Sequence, residues 1–141
     1  MLGKRDPLLY GTEHFDKILE WLRGLYPELE IGYYQSNSEG MMIDKIQQIE
    51  SEGYQGLIIN PGGYSHYSIS ILDALTLLQI PRLEVHLSPI HSREDIRRVS
   101  LTASGCHGLI SGLGKESYRL ALDWMRNYGA RPAGFQIGRT N

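Results

Sequence analysis

Apolar and polar positions alternate with two different periods along this chain. Phe15, Ile18, Leu19, Leu22 and Leu25 recur at three- and four-residue steps, which predicts an amphipathic helix over 13–26, with Thr12 placed to cap it. From Glu30 to Gln35 the pattern changes to alternation, Ile31 and Tyr33 against Gly32 and Tyr34, which reads as a strand. Ser36-Asn37-Ser38-Glu39-Gly40 is a turn whose Asn37 or Ser38 can cap a helix through Ile43, Ile46 and Ile49, and Gly53 stops that helix. Two apolar stretches then end abruptly in polar residues: Gly56-Leu57-Ile58-Ile59-Asn60-Pro61-Gly62-Gly63 and Arg82-Leu83-Glu84-Val85-His86-Leu87-Ser88. A short apolar run bounded by turn residues reads as a buried strand of a parallel sheet. Between them, Ile69, Leu72, Leu75 and Leu78 predict one helix over 65–79, and Pro81 opens the second strand. Residues 89–99 are polar and charged, with a short helical turn at 93–98. Gly108 to Gly112 is another buried strand, and Tyr118, Leu122 and Met125 stripe a last helix over 115–127. Gly3, Pro7 and Gly11 make the first dozen residues a loop.

Strands alternating with helices imply an α/β fold, a parallel sheet covered by helices on both faces. The pattern predicts a single domain over 1–128 and a loosely held tail over 129–141, where Gly, Arg and Pro occur without period. A chain of 141 residues can bury a real core. A net charge of −2 carries no general polyanion signal, so nucleic acid is not an expected partner. No apolar run approaches the about 18 residues that would span a membrane, and the amino end lacks a signal-peptide pattern. One cysteine, Cys106, reads as a small buried side chain, and its isolation points to the cytoplasm.

Candidate chemistry gathers where the strands end. In open parallel sheets ligands sit beyond the carboxyl ends of the strands, and Asn60 and His86 occupy two of those ends. Residues two apart in a strand share a face, so Glu84 can hold one ring nitrogen of His86 and leave the other free, an acid–base arrangement. Other signals fail. Gly108 to Ser117 lacks the spacing of a phosphate loop, and no Gly-x-Gly-x-x-Gly follows a strand. Neither Ser65 nor Ser68 sits in a nucleophile elbow. The five histidines lack zinc-site spacing, and no cofactor or metal is expected. Arg5, Tyr10, Asn60, His66, His86 and Arg97 remain, and together they suit proton transfer on an anionic, hydroxylated small molecule.

These residues lie in motifs that resemble the type II 3-dehydroquinate dehydratases of the shikimate pathway. The matching stretches are Leu-Gly-Lys-Arg-Asp-Pro-Leu-Leu-Tyr-Gly (2–11), Gln-Ser-Asn-Ser-Glu-Gly (35–40), Ile-Asn-Pro-Gly-Gly-Tyr-Ser-His (59–66), Glu-Val-His-Leu-Ser (84–88), His-Ser-Arg-Glu-Asp-Ile-Arg (91–97) and Gly-Leu-Gly (112–114), in family order over about 1–125. The resemblance implies a flavodoxin-like three-layer sandwich, trimers grouped into dodecamers, and an anti elimination of water from 3-dehydroquinate through an enolate, with no metal, cofactor or Schiff base. By resemblance, Tyr10 is the base that takes the proton at C2, Arg5 lowers its pKa, and His86, oriented by Glu84, protonates the departing C1 hydroxyl. Asn60, His66, Leu87, Ser88 and Arg97 match substrate-binding positions, Arg97 suiting the substrate carboxylate. Asp73 matches an aspartate that reaches the site of a neighbouring subunit.

The chain departs from the family at Pro89, where Asn is usual, and at Val99, often His. Family members also begin with an apolar interior strand leading into Gly-Pro-Asn-Leu-Asn, one of whose asparagines helps stabilise the enolate; this sequence has neither. The expectation is that Met1 is an internal methionine of that longer sequence and that the chain is N-terminally truncated and poorly stable as written. The rival to an enzyme is therefore an impaired homologue that keeps only the fold and its oligomer surfaces. Retention of Arg5, Tyr10, His66, His86 and Arg97 favours the enzyme.

Overall fold

The computed structural model describes residues 14–128. Its elements in chain order are α1 (Phe15–Leu25), α2 (Glu39–Gln48), β1 (Leu57–Ile59), α3 (Ile69–Leu77), β2 (Arg82–His86), β3 (Gly108–Ser111) and α4 (Glu116–Arg126), with four 3-10 turns in the connections. The strands form a parallel sheet in the order β1-β2-β3, in register Leu57 with Arg82, Leu83 with Gly108 and His86 with Ser111.

Side-chain alternation along β2 divides the molecule into layers. Leu83 and Val85 point to one face, where Ile18, Leu22 and Tyr26 of the α1 region and Ala121 and Leu122 of α4 close over them. Ile59 points to the opposite face and packs with Ile46 of α2 and with Ile71, Ala74 and Leu75 of α3. Pairing Ile59 with Glu84 puts Glu84 on that second face, and the two-residue period puts His86 beside it. Leu75 is fully buried in the second core. Leu75→Ala is expected to cost about 2–5 kcal/mol, the range for truncating a closely packed leucine; chemical denaturation giving less than about 1 kcal/mol would show that this layer collapses around the cavity.

Local signals explain most of the element ends. The hydroxyl of Ser38 accepts the Met41 N–H at the start of α2, and Ser68 does the same for Ile71 at the start of α3. Gly53, at φ +88°, turns the chain out of α2. Ser68 also corrects the helix expected over 65–79. Its side-chain cap starts α3 at Ile69, and Gly62–His66 forms a separate 3-10 turn. The buried stripe begins at Ile71, while Ile69 is 64% exposed. The helical turn expected at 93–98 is a 3-10 turn over Asp95–Arg97, preceded by another over Ile90–Ser92. His14 stands at the start of α1, and Thr12, expected to cap it, lies outside the described residues.

The strand expected at Glu30–Gln35 does not form. Alternation gives a segment two faces, but a strand also needs a neighbour for its backbone, and among the described residues β1 pairs only with β2. Side chains hold the segment instead: the Arg23 guanidinium donates to the Ile31 carbonyl at 2.7 and 3.2 Å, and Tyr33 stacks on Phe15 with centroids 4.6 Å apart. The Tyr54 ring lies against Gly32, where a Cβ would stand 2.2 Å from its hydroxyl oxygen, so any larger residue there would displace that ring. The tail at 129–141 and the expectation about the chain before Leu2 lie outside the described residues.

Candidate active site

The carboxyl ends of β1 and β2 open on a crevice lined by Asn60, His66, His86, Leu87, Ser88 and Arg97, all expected from the sequence. Gly62, Gly63, Ile90 and Arg93 complete the described lining. Each side chain is placed by a local reason. Asn60 stands one residue past β1, where its Oδ1 accepts the Gly62 N–H at 3.1 Å, an Asx turn that redirects the chain into the Gly62–His66 turn. Its amide donates to the Tyr118 hydroxyl at 3.4 Å. Burial pushes Tyr118 up to about 12, so this phenol stays protonated at neutral pH.

His66 ends the 3-10 turn. Its Nδ1 lies 2.8 Å from the Val99 carbonyl, which can only accept, so the proton sits on Nδ1 and Nε2 is left unprotonated in the neutral ring. That contact uses the backbone of residue 99, so it does not depend on which side chain stands there. Ser88 is buried and accepts from the Arg93 guanidinium at 2.9 Å. Leu87 gives its side chain to the first core and its carbonyl to the Gly114 N–H at 2.9 Å. Behind Ser88, Gly112 adopts φ +89° and its would-be Cβ lies 3.0 Å from Pro89, so the end of β3 closes against residue 89 only as glycine.

His86 and Glu84 form the buried heart of the site. The His86 Nε2 lies 2.7 Å from Glu84 Oε1, with side-chain exposures of 9% and 0%. Glu84 also accepts from the Ser100 hydroxyl at Oε1 and the Thr102 hydroxyl at Oε2, each at 2.5 Å. Three donors therefore converge on two oxygens, the pattern that an ionised carboxylate accepts. With Nε2 committed to Glu84, Nδ1 is the ring nitrogen left for chemistry. Arg97 is more loosely placed: it pairs with Glu94 at 2.9 Å with its side chain 46% exposed, an exposed pair of the kind that contributes little stability and rearranges readily. The described lining holds two arginines and two histidines and no acid, so the crevice favours an anion.

The family model described as Dehydroquinase class II matches residues 1–126. The chain belongs to the class II dehydroquinase family. A 3-dehydroquinate dehydratase of Clostridium perfringens is 44% identical over 130 residues, covering 91% of this chain and 89% of the relative. One of Lachnoclostridium phytofermentans is 47% identical over 124 residues, covering 86% of each. Among solved structures, the type II dehydroquinase from Butyrivibrio crossotus matches with a TM-score of 0.85 at 39% identity, covering 89% of this chain and 88% of the other. The parallel α/β sandwich is thus the flavodoxin-like fold of type II dehydroquinases.

Among the dehydroquinase positions expected from sequence, Tyr10 and Arg5 lie outside the described residues. Asp73 is exposed on α3 and is not among the crevice-lining residues. Arg93 was not singled out from the sequence. It lies in extended backbone between the 3-10 turns Ile90–Ser92 and Asp95–Arg97, so the path of the loop brings it to the crevice and no spacing in the sequence marks it. Ser100 and Thr102 carried no motif; only the packing of the 3-10 turn Thr102–Gly105 beneath β2 brings them to Glu84. No group of three or more His, Cys, Asp and Glu that could hold a metal occurs among the described residues.

Proposed function

We infer that this chain is a type II 3-dehydroquinate dehydratase, a hydro-lyase that removes water from 3-dehydroquinate to give 3-dehydroshikimate. The observation that carries the reading is the buried Glu84–His86 pair at the mouth of an arginine- and histidine-lined crevice, in a chain of this family. In the proposed mechanism Tyr10, as tyrosinate beside Arg5, takes the proton at C2 and leaves an enolate on the adjacent ketone. The enolate then reforms the carbonyl, the C1–O bond breaks, and His86 delivers a proton to the departing hydroxyl, which leaves as water. Glu84 faces the imidazolium and supports it while it is charged. Asn60, His66, Leu87 and Ser88 hold the substrate, and Arg97 pairs with its carboxylate once released from Glu94.

We assign the catalytic domain to residues 1–128 and the tail to 129–141. The same reading includes trimers grouped into dodecamers, with Asp73 contributing to a neighbouring site. Exposed Ile69 and Leu77, each four residues from Asp73 on α3, and exposed Tyr67 just before the helix support a subunit contact there. The lone cysteine is in keeping with the cytoplasm. No helix of the described residues is long and apolar enough to cross a membrane. Nothing among the described residues supports the rival reading, an impaired homologue, better: the Glu84–His86 pair and the crevice residues beside it are in place.

The deciding experiment is ultraviolet detection of the conjugated enone formed from 3-dehydroquinate. Turnover that resists chelators and leaves no borohydride-trapped adduct supports the reading. No enone from folded protein would overturn it, and inhibition by chelator or a trapped lysine adduct would overturn the mechanism.

A further inference from the structure

We propose that Thr102, together with Ser100, is a positioning residue of the dehydration, acting on His86 through Glu84. The inference rests on the reading above, in which His86 is the acid and Glu84 its orienter. Glu84 is fully buried in the middle of β2, and its one ion-pair partner among the described residues is His86 itself. Such a carboxylate needs hydrogen-bond donors, and it needs them in fixed directions, because the terminal torsion of a glutamate side chain is soft.

Thr102 and Ser100 supply both. Thr102 is fully buried and donates to Oε2, while Ser100 donates to Oε1, the oxygen that His86 also uses. The Ser100 oxygen accepts the Ala103 N–H at 3.2 Å, which turns its own hydrogen toward Glu84. Thr102 begins the 3-10 turn Thr102–Gly105, which packs against α3 and β2, so its hydroxyl is held by the fold and not by a mobile loop. With a donor on each oxygen the carboxylate cannot swing, and Oε1 stays aimed at His86 Nε2. Without the Thr102 donor, Oε2 is left buried and short of a partner, and the carboxylate turns toward the remaining donors. His86 then loses its fixed orientation toward the substrate.

The test is a pair of variants that separates the hydroxyl from the volume it occupies. Thr102→Val keeps the shape and removes the hydroxyl, and it is expected to lower kcat by about 10-fold with KM changed by less than about 2-fold, the signature of a contact that matters in the transition state. Thr102→Ser keeps the hydroxyl and loses a methyl, and it is expected to restore kcat to within about 3-fold of wild type even if it is the less stable protein. Ser100→Ala, at a half-buried position, is expected to lower kcat by about 3-fold and serves as the second probe should Thr102→Val fail to fold. Wild-type kcat in Thr102→Val would overturn the proposal, as would losses in Thr102→Val and Thr102→Ser that track their thermal stability; should Thr102→Val not fold, wild-type kcat in Ser100→Ala would do so. These outcomes stand apart from failure of the underlying reading, which would appear as unchanged kinetics in Glu84→Gln and His86→Ala.

Discussion

His86→Ala is expected to lower kcat for dehydration of 3-dehydroquinate by about 100-fold or more, the usual contribution of a well-placed general acid, while KM moves far less. Hydroxide is a poor leaving group, so the second half of an enolate elimination depends on a proton reaching the C1 oxygen as the bond breaks. His86 is placed for that: it ends β2 at the crevice, with one nitrogen held by Glu84 at 2.7 Å. Glu84→Gln should act in the same direction but more mildly. The amide keeps the size of the side chain but offers one acceptor oxygen in place of two, so the donors from His86, Ser100 and Thr102 cannot all be satisfied. Steady-state kinetics across both variants provide the check. Unchanged kcat in His86→Ala removes it from the acid role, and unchanged kcat in Glu84→Gln removes Glu84 as its orienter.

The second large effect is expected at Tyr10. Tyr10→Phe should abolish turnover to within about a hundredth of the wild-type rate, the typical loss when a general base is removed, and leave substrate binding largely intact. The physical basis is the distance between an ordinary phenol and a useful base. A free tyrosine has a pKa near about 10, so at neutral pH little tyrosinate exists unless a nearby positive charge favours it. Arg5 stands five residues before Tyr10 in the same motif. Arg5→Ala should therefore weaken catalysis by shifting the alkaline requirement of the reaction upward, while Tyr10→Phe removes the base at every pH. Retention of more than about a tenth of the wild-type rate in Tyr10→Phe would mean that another group takes the C2 proton. Equilibrium binding of a substrate analogue to Tyr10→Phe separates a lost base from a lost pocket.

Much of the site was legible because strand geometry is short-ranged. That Glu84 and His86 share a face follows from a period of two, and it needs no knowledge of what lies on either side. Asn60 is legible as a strand end, His66 and Arg97 as polar residues left once other signals fail, and Leu87 and Ser88 through the resemblance, and the crevice contains all of them. The alternation at Glu30–Gln35 misled for the converse reason. It describes which way side chains point, whereas a strand exists only when a second strand lies alongside, and that is a property of distant residues. The helix expected over 65–79 failed on a smaller point: Ser68 competes for the backbone as a cap, and a hydroxyl at a helix start outweighs an apolar stripe that continues through it.

The amino-acid sequence by itself determined the class of fold, the two strand ends that carry the chemistry, and the pairing of Glu84 with His86, because each depends on residues a few positions apart. Only the tertiary structure decided what surrounds that pair. Residues 100 and 102 meet residue 84 because the Thr102–Gly105 turn packs under β2, and Val99 lends His66 a carbonyl that any residue would carry. Arg93 likewise reaches Ser88 through the path of the loop between them. A carboxylate buried in a sheet must find its donors wherever the chain happens to pass, so the partners of Glu84 are set by packing and leave no periodic mark along the chain.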